Sequence, residues 1–453
     1  MDATVDFSKA SLNPDVMKAV ESLKYRVTVG DVATRAGLNV EIAQQGLLAL
    51  ASETQAHLQV SDAGEIAYEF PKNFRGVLRN KYWQLRVQAL LSKVWQVVFY
   101  LIRLSFGIML LLSIAVIFIA IAALMIAASS QGGGGGNRDN RRGGGGFGFG
   151  LSPFNIFYLF DFNYRRGRAR YPNRSSGRYS SSGRGRQKES GQLNFLEAIF
   201  SFLFGDGDPN ADLEARRWQT IGTVINNNGG AIAAEQVAPY LDSLGEGWDK
   251  EYEDYILPVL TRFNGRPEVS PQGDIVYYFP ELQVSAIDRG KAAVSAYLKE
   301  TKRQFTAATS SQVMMAIGLG SLNLIGAAVL WNMLQNAGAA ALVGYVGFVQ
   351  SIFWLLLGYG IAFLSIPLVR YYWMLSRNAK IEQRNEERSD RAIALNRLGP
   401  ALEKKLAFAQ QFAQQKVLRA DEAVYDTQTD LLEQESDRDD QIEAEFRRRL
   451  EEI

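Results

Sequence analysis

VSDAGEIAYEFP, residues 60–71, returns 209 positions later as VSPQGDIVYYFP, residues 269–280, with seven of the twelve residues identical. In the first copy two alternating runs, HLQVS and EIAYEF, meet at a turn around Asp62, Ala63 and Gly64, which is the pattern of a β-hairpin. Upstream, Asn13 and Pro14 supply a cap and an N1 proline for the helix PDVMKAVESL, and YRV reads as a short strand. Thr28 with Asp31 makes a capping-box-like start to a second helix that stops at Gly37, and Asn39 can cap a third, VEIAQQGLLALASE. Helix, short strand, helix, turn, helix and hairpin is the order of a winged helix-turn-helix domain. The second copy repeats it: RWQTIGTVINNNGGAIAAEQVAPYL holds two helices, KEYEDYILPVLTRF the third, and PEVSPQGDIVYYF the wing. A tandem duplication accounts for the coincidence, and the shared YxFP ending marks where each wing hands the chain toward the membrane. An unrelated small helical domain with a hairpin is the competing reading.

A winged helix grips DNA through its third helix, with Lys and Arg neutralising phosphates. Residues 36–70, which hold the first copy's third helix and wing, contain no Lys or Arg, and the second copy's third helix carries the acidic run EYEDY. Lys250, Arg262 and Arg266 do not outweigh that run. The sequence therefore favours protein recognition over DNA binding, with Glu41, Gln44 and Gln45 as partner contacts on the first copy and Glu251, Glu253 and Asp254 on the second.

Three apolar segments surround these domains. Residues 104–129 are uncharged and longer than the roughly 20 residues a bilayer core requires, and the apolar character begins at Val94, interrupted only by Arg103. Residues 313–334 and 342–369, joined by a short uncharged connector, read as a helical hairpin with small residues such as Ala316, Gly320, Ala340 and Gly344 spaced for close packing. Asn323 and Gln350, polar within these spans, are expected to be interhelical glue; with no charge inside the hairpin, an ion transporter is disfavoured. Lys299, Lys302 and Arg303 before the hairpin and the basic tail after it place both flanks in the cytoplasm by the positive-inside rule. Arg75, Arg79, Lys81, Arg86 and Lys93 precede the first span and a basic linker follows it, so both ends of that span ask to be inside. The start, MDATVDFSKASLNPD, lacks the pattern of a secretory signal, so insertion is expected through the internal segments.

Residues 131–191 alternate glycine runs with arginine, serine and tyrosine, a composition that cannot bury enough apolar area to fold. Arg165, Arg166, Arg168 and Arg170 suit anionic lipid headgroups beside a span, or alternatively single-stranded nucleic acid. The glycines are no phosphate loop, because GK[ST] does not follow. Asp206, Asp208 and Asn210 imitate the start of a calcium loop, but Ala211 and Arg217 occupy the positions that need glycine and a bidentate carboxylate. Asp208 before Pro209 reads instead as a helix cap, and Phe195, Ile199, Phe202 and Leu203 form an apolar stripe for lipid or for the second winged domain.

The stretch FSFLFGDGDPN, followed by RRWQTIGTVINNNGG and YYFP, resembles a membrane protein family of cyanobacteria and plastids, some of whose members are described as iron–sulfur cluster biosynthesis proteins. The resemblance covers most of the chain outside the Gly/Arg linker. It implies a cyanobacterial plasma or thylakoid membrane location, and a part in cluster handling that would have to be indirect. The chain has no cysteine, which removes disulfides, thiolate metal sites and self-ligated clusters, and its single histidine, His57, cannot build a zinc site or a triad alone. No cofactor, metal or catalytic residue is expected.

The tail mixes both charge signs within a formal net charge of only +1. Leu402, Leu406, Ala409 and Ala413, and further on Ile442, Phe446, Leu450 and Ile453, form narrow seams suited to a partner or to a second copy of the chain.

The sequence thus describes a mainly α membrane protein with three strong apolar segments, two winged-helix-like α+β repeats and a charged helical C-terminal tail. Its sections are 1–92, a winged domain with its connecting helix; 93–130, the first span; 131–192, the linker; 193–305, an amphipathic segment and the second winged domain; 312–370, the hairpin; and 371–453, the tail. The expected function is that of a membrane scaffold or adaptor binding other membrane proteins and anionic lipid, and associating through its tail. A membrane-tethered nucleic-acid-binding regulator is the alternative.

Overall fold

The computed structural model describes residues 13–81, 83–131, 194–245, 252–288, 290–338, 344–397, 399–419 and 423–428, with a few isolated positions beyond. The linker arginines Arg165, Arg166, Arg168 and Arg170, Glu251, and the last apolar seam of the tail lie outside the described residues. The chain is mostly helical and divides into two compact units, one of residues 1–93, 208–303 and 376–453, the other of residues 94–207 and 304–375.

The first unit begins with α1 (Pro14–Ser22), whose N-cap Asn13 accepts the N–H of Asp15, and β1 (Arg26–Val27). Helix α2 (Val29–Ala36) starts in a full capping box between Thr28 and Asp31 and ends at Gly37, whose φ of 66° is a left-handed C-cap conformation that suits glycine. Helix α3 (Val40–Thr54) is capped by Asn39 and precedes the hairpin of β2 (His57–Ser61) and β3 (Ile66–Glu69). Helix α4 (Phe74–Lys81) leads on to α5 (Trp83–Gln131).

The second stretch of this unit contains α7 (Leu213–Asn227), numbered after α6 (Phe195–Phe204) of the other unit, then β4 (Ala231–Ile232) and α8 (Leu257–Phe263), and the hairpin of β5 (Arg266–Val269) and β6 (Ile275–Tyr278). Val60 faces Ile66 in the first hairpin, and Val269 faces Ile275 in the second. Phe70 N–H donates to Tyr25 O (2.8 Å), and Phe279 N–H to Gly230 O (2.7 Å), so each hairpin is tied back to the strand that precedes its helices.

Three expectations change here. Residues 234–240 form two 3-10 turns, Ala234–Gln236 and Ala238–Tyr240, in place of a second α-helix; Pro239 lacks an N–H and cannot continue a helical ladder. The described part of the following helix is a 3-10 turn, Asp254–Ile256, leading into the seven residues of α8. Asp208 does not cap α7, which starts at Leu213; its carboxylate accepts the N–H of Asn210 (3.0 Å) and pairs with Arg303.

One apolar core serves both stretches, joining Val16, Val32, Leu47, Tyr68 and Phe74 to Trp218, Ile221, Val259, Phe263 and Phe279. Helices α2 and α7 meet so closely that a Cβ on Gly222 would lie 3.2 Å from Thr34. A Cβ on Gly30 would collide with the backbone carbonyl of Glu281.

The tail returns to the same unit. After α10 (Tyr345–Asn396) come α11 (Pro400–Gln410), β8 (Lys416–Val417) and β9 (Ala423–Asp426). β9 pairs antiparallel with β2, giving a sheet of order β1-β3-β2-β9, and β8 pairs parallel with β7 (Val284–Ser285). The seam expected to meet a partner faces the chain's own second sheet: Phe412 stacks on Tyr278 at 5.9 Å and Gln414 N–H donates to Gly229 O (2.9 Å).

The other unit contains the apolar helices. Among the described residues three segments are long and apolar enough to cross a membrane: residues Lys93–Ser129 within α5, α9 (Ser310–Asn336), and α10. Leu124 of α5 packs with Leu334 and Val346, near the hairpin turn. Phe195, Ile199, Phe202 and Leu203 of α6 pack with Leu110, Ile114, Leu319 and Phe363, so the amphipathic stripe meets the spans themselves.

At the centre, the fully buried Asn323 donates to Ser113 Oγ (2.6 Å), and a Cβ on Gly360 would stand 2.9 Å from Asn323 Oδ1. Glycine there lets the third helix approach the amide. Gln350, by contrast, is exposed and is not interhelical glue. Gly360→Ala and Asn323→Val should each weaken packing by about 1 kcal/mol, and by less than the sum when combined, because they disturb one contact. Unfolding in mild detergent, followed for both single variants and the double variant, checks this.

Candidate partner-binding faces

Helix α3 buries Val40, Ala43, Leu47, Leu50 and Ala51 at helical spacing, which turns Glu41, Gln44 and Gln45 outward. The same face exposes Ile42 (49%) and Leu48 (45%), so two apolar side chains stand among one carboxylate and two amides, with no cation on the helix. Gln44 also borders a cleft of about 310 Å³ lined by Thr28, Tyr68, Glu65, Glu281 and Val284. The segment forming the far wall is held by first-stretch residues: Asp31 accepts from Ser285 Oγ and Ala286 N–H (both 2.9 Å), and Thr28 Oγ1 donates to Val284 O (3.0 Å).

The second expected face is built differently. Asp254 is exposed, but Glu253 is engaged inside the chain, receiving the Tyr277 hydroxyl (3.0 Å) and the ammonium of Lys405. Lys405, on α11, is buried between Glu253 and Glu235 (3.0 Å). Burial lowers the Lys405 pKa, but the two carboxylates overcome that effect and raise it above the ordinary lysine range. Burial, followed by the charge of Glu253, pushes the Tyr277 hydroxyl up. Glu253 is therefore an internal ion-pair residue, and the tail supplies its counter-ion. Sequence offered no signal for this, since Lys405 lies 152 positions away.

The tail also closes around β1. Arg26 Nη1 donates to Leu418 O (2.7 Å) and to Ala286 O, while Gln59 joins Arg26 to Asp426. Between residues 298 and 303 the chain runs along the end of α10. Arg384 forms a two-pronged pair with Glu300 (2.8 and 2.6 Å), Arg388 joins at 2.9 Å, and Asn385 bonds the Glu300 backbone through both amide atoms. The hydrogen bond from Arg384 is the main reason the Glu300 carboxyl is held below its usual range, against the opposing effect of burial.

His57 lies half-exposed on β2 opposite Glu69. Among the described residues no group of three or more His, Asp or Glu side chains could hold a metal ion.

Over 436 residues the chain is 38% identical to an uncharacterized chloroplastic protein of Arabidopsis thaliana, a match spanning 94% of this chain and 80% of the plant protein. The chain belongs to that protein's family. No family model matches it, and no solved structure does either. The similarity extends through both hairpin-bearing stretches, the apolar helices and most of the tail, since so little of the chain falls outside it.

The Glu300 cluster sets a pH dependence. A carboxyl with a lowered pKa in the folded state contributes stability that is complete above its unfolded value, near 4.5, and that is lost as pH falls through the folded value. Thermal unfolding between pH 6 and pH 3 should show a falling midpoint below about pH 4.5. Glu300→Gln should start lower at neutral pH and lose that part of the acid slope.

Proposed function

We propose that this protein is a non-enzymatic membrane scaffold whose hairpin-bearing stretches are duplicated winged-helix-like modules used to hold other proteins. The exposed face of α3 carries this reading: Ile42 and Leu48 among Glu41, Gln44 and Gln45 suit a protein surface, and the absence of Lys and Arg from residues 36–70 removes the phosphate-neutralising charge that DNA binding uses. The matched hairpin registers and the helix–strand–helix–helix order of the first stretch support the winged-helix comparison. The 3-10 turns at residues 234–240 make the second module a shortened version, braced by the tail.

The chloroplast relative and the three apolar helices support a photosynthetic membrane as the location. A role in iron–sulfur cluster assembly, where the family resemblance points, would run through proteins held by the scaffold, because this chain has no thiolate.

The first unit supports a reading of sidedness. Its first two sections share one core, Ala67, Ala286 and Leu418 join all three in a smaller cluster, and β9 of the third pairs with β2 of the first; a folded body lies on one side of a bilayer. We infer that residues 1–93, 208–303 and 376–453 all face the cytoplasm or its plastid equivalent. The chain then crosses an even number of times between residues 93 and 208, and α5 provides one crossing. Absence of native cysteine makes the test direct. Gln44→Cys, Gln272→Cys and Gln428→Cys should react with an impermeant maleimide from one face, and Ser129→Cys and Asn336→Cys from the other. Labelling of Gln44→Cys from the face that labels Asn336→Cys would refute the shared side.

The scaffold reading is tested by purification from the native membrane in mild detergent. Ile42→Glu with Leu48→Glu should remove specific co-purifying proteins while leaving the unfolding midpoint within about 2 °C, because both side chains are surface positions. Tight, salt-sensitive nucleic-acid binding that disappears when residues 165–186 are deleted would instead favour a nucleic-acid regulator.

A further inference from the structure

Two arginines flank α6 within the membrane-helix unit, and they are held in opposite ways. Arg370 has acceptors of its own. Its Nη2 donates to the carbonyls of Phe202 (2.9 Å), Phe305 (2.6 Å) and Ser201 (3.3 Å), two of which belong to the last turn of α6. Arg103, on α5, has none among the described residues. Its guanidinium lies over the rings of Phe99 (5.2 Å) and Phe200 (5.4 Å), its Nε is buried without a hydrogen-bond partner, and no carboxylate among the described residues pairs with it.

Ring faces soften a cation's desolvation but cannot neutralise it; each contributes about 0.5–1 kcal/mol, whereas a charge drawn into the hydrocarbon costs several. Position sharpens the requirement, for the 26 residues after Arg103, 104–129, are uncharged and by themselves long enough to cross the hydrocarbon, which sets Arg103 at headgroup depth. The surroundings describe the missing anion. Phe99 (40% exposed), Phe204 (43%) and Ile102 (39%) form an apolar rim beside the half-exposed guanidinium, and Phe106 closes the floor against Phe200 and Phe204 at 5.7 and 4.9 Å. A small hydrated anion gains nothing from such a rim. A ligand with an anionic head and an adjoining acyl chain satisfies both parts.

We propose that Arg103 and the phenylalanines around it form a binding site for an anionic glycerophospholipid, with the headgroup phosphate on the Arg103 guanidinium and an acyl chain along Phe99 and Phe204. The site includes no residue of the basic linker and is independent of the scaffold reading. It stations one ordered lipid against α6, the helix that ends in the FSFLF half of the FSFLFGDGDPN motif.

The test uses full-length protein, delipidated in mild detergent and titrated with phosphatidylglycerol or phosphatidylcholine under native mass spectrometry. Salt is held at about 0.5 M, where a Debye length near 4 Å suppresses loose attraction to solvated linker arginines. One phosphatidylglycerol should bind about fivefold tighter than phosphatidylcholine, the ratio that roughly 1 kcal/mol per charge provides. Arg103→Gln should bring the ratio close to one, and Arg103→Lys should keep most of it. Millimolar inorganic phosphate should not compete. An unchanged ratio in Arg103→Gln overturns the site, and competition by phosphate overturns its assignment to lipid. Should Arg103→Gln fail to fold, the wild-type protein still decides: its unfolding midpoint should rise with phosphatidylglycerol and not with phosphatidylcholine, and equal shifts would refute the proposal.

Discussion

The close meeting of α2 and α7 is the constraint on which the first unit depends. Thr34 and Gly222 leave no room between the helices for an added side chain, and Arg262 reinforces the approach by donating to Gly37 O (2.9 Å) while lying 4.4 Å over the Trp218 ring. Because the two stretches bury their apolar faces against each other, neither has a complete core alone. A small domain with half its apolar area exposed would be marginal, and the shared core removes that problem. Residues 1–93 and 208–303 are therefore one folded object, although more than a hundred residues separate them in the chain.

The tail completes that object by answering two further demands. A hairpin edge offers unpaired backbone groups, and β9 covers the edge of β2, with Thr427 bonding Leu58 in both directions. Among the described residues β5 has no neighbour other than β6, and there Pro267 removes an N–H from the edge strand, which discourages pairing by other chains. Buried charge is the second demand. Lys405 lies between Glu235 and Glu253, and Glu300 between Arg384 and Arg388; loss of the central Lys405 or Glu300 would take a charge partner from Glu253 or Arg388, which have little access to water. These pairs give the tail one register on its own chain.

In the membrane-helix unit the economy is reversed. Apolar packing against lipid offers little preference, so small residues and few polar contacts set the arrangement. Gly320 lies under Phe363, Gly107 under Leu196, and Asn323 reaches Ser113 across the bundle. Arg370 ties the end of α10's apolar stretch to the carbonyls of α6, which explains why the glycine turn after that helix has little room: a Cβ on Gly205 would strike the Arg370 guanidinium.

Local chemistry was legible wherever the partners lie within a few residues. The Asn13, Thr28–Asp31 and Asn39 caps, the Gly37 stop, both hairpins and the three apolar helices follow from propensity, capping and hydropathy over short windows. The face of α3 was readable too, since 3.6-residue periodicity decides which side chains turn outward. Glu253 was misread for the opposite reason: an acidic run looks exposed until a lysine from the tail is folded against it. The same holds for β9, whose four residues carry no strand signal strong enough to name β2 as their neighbour, and for Asn323, whose bond to Ser113 spans 210 positions. Sequence alone determined the caps, both hairpins and the three apolar helices, because those depend on nearest neighbours along the chain; the 3-10 turns of the second stretch and the strands of the tail, expected as helix, it did not. Tertiary structure decided that two stretches share one core, that the tail joins their unit through β8 and β9, and which buried charges are paired, because these depend on contacts that only close when distant segments meet.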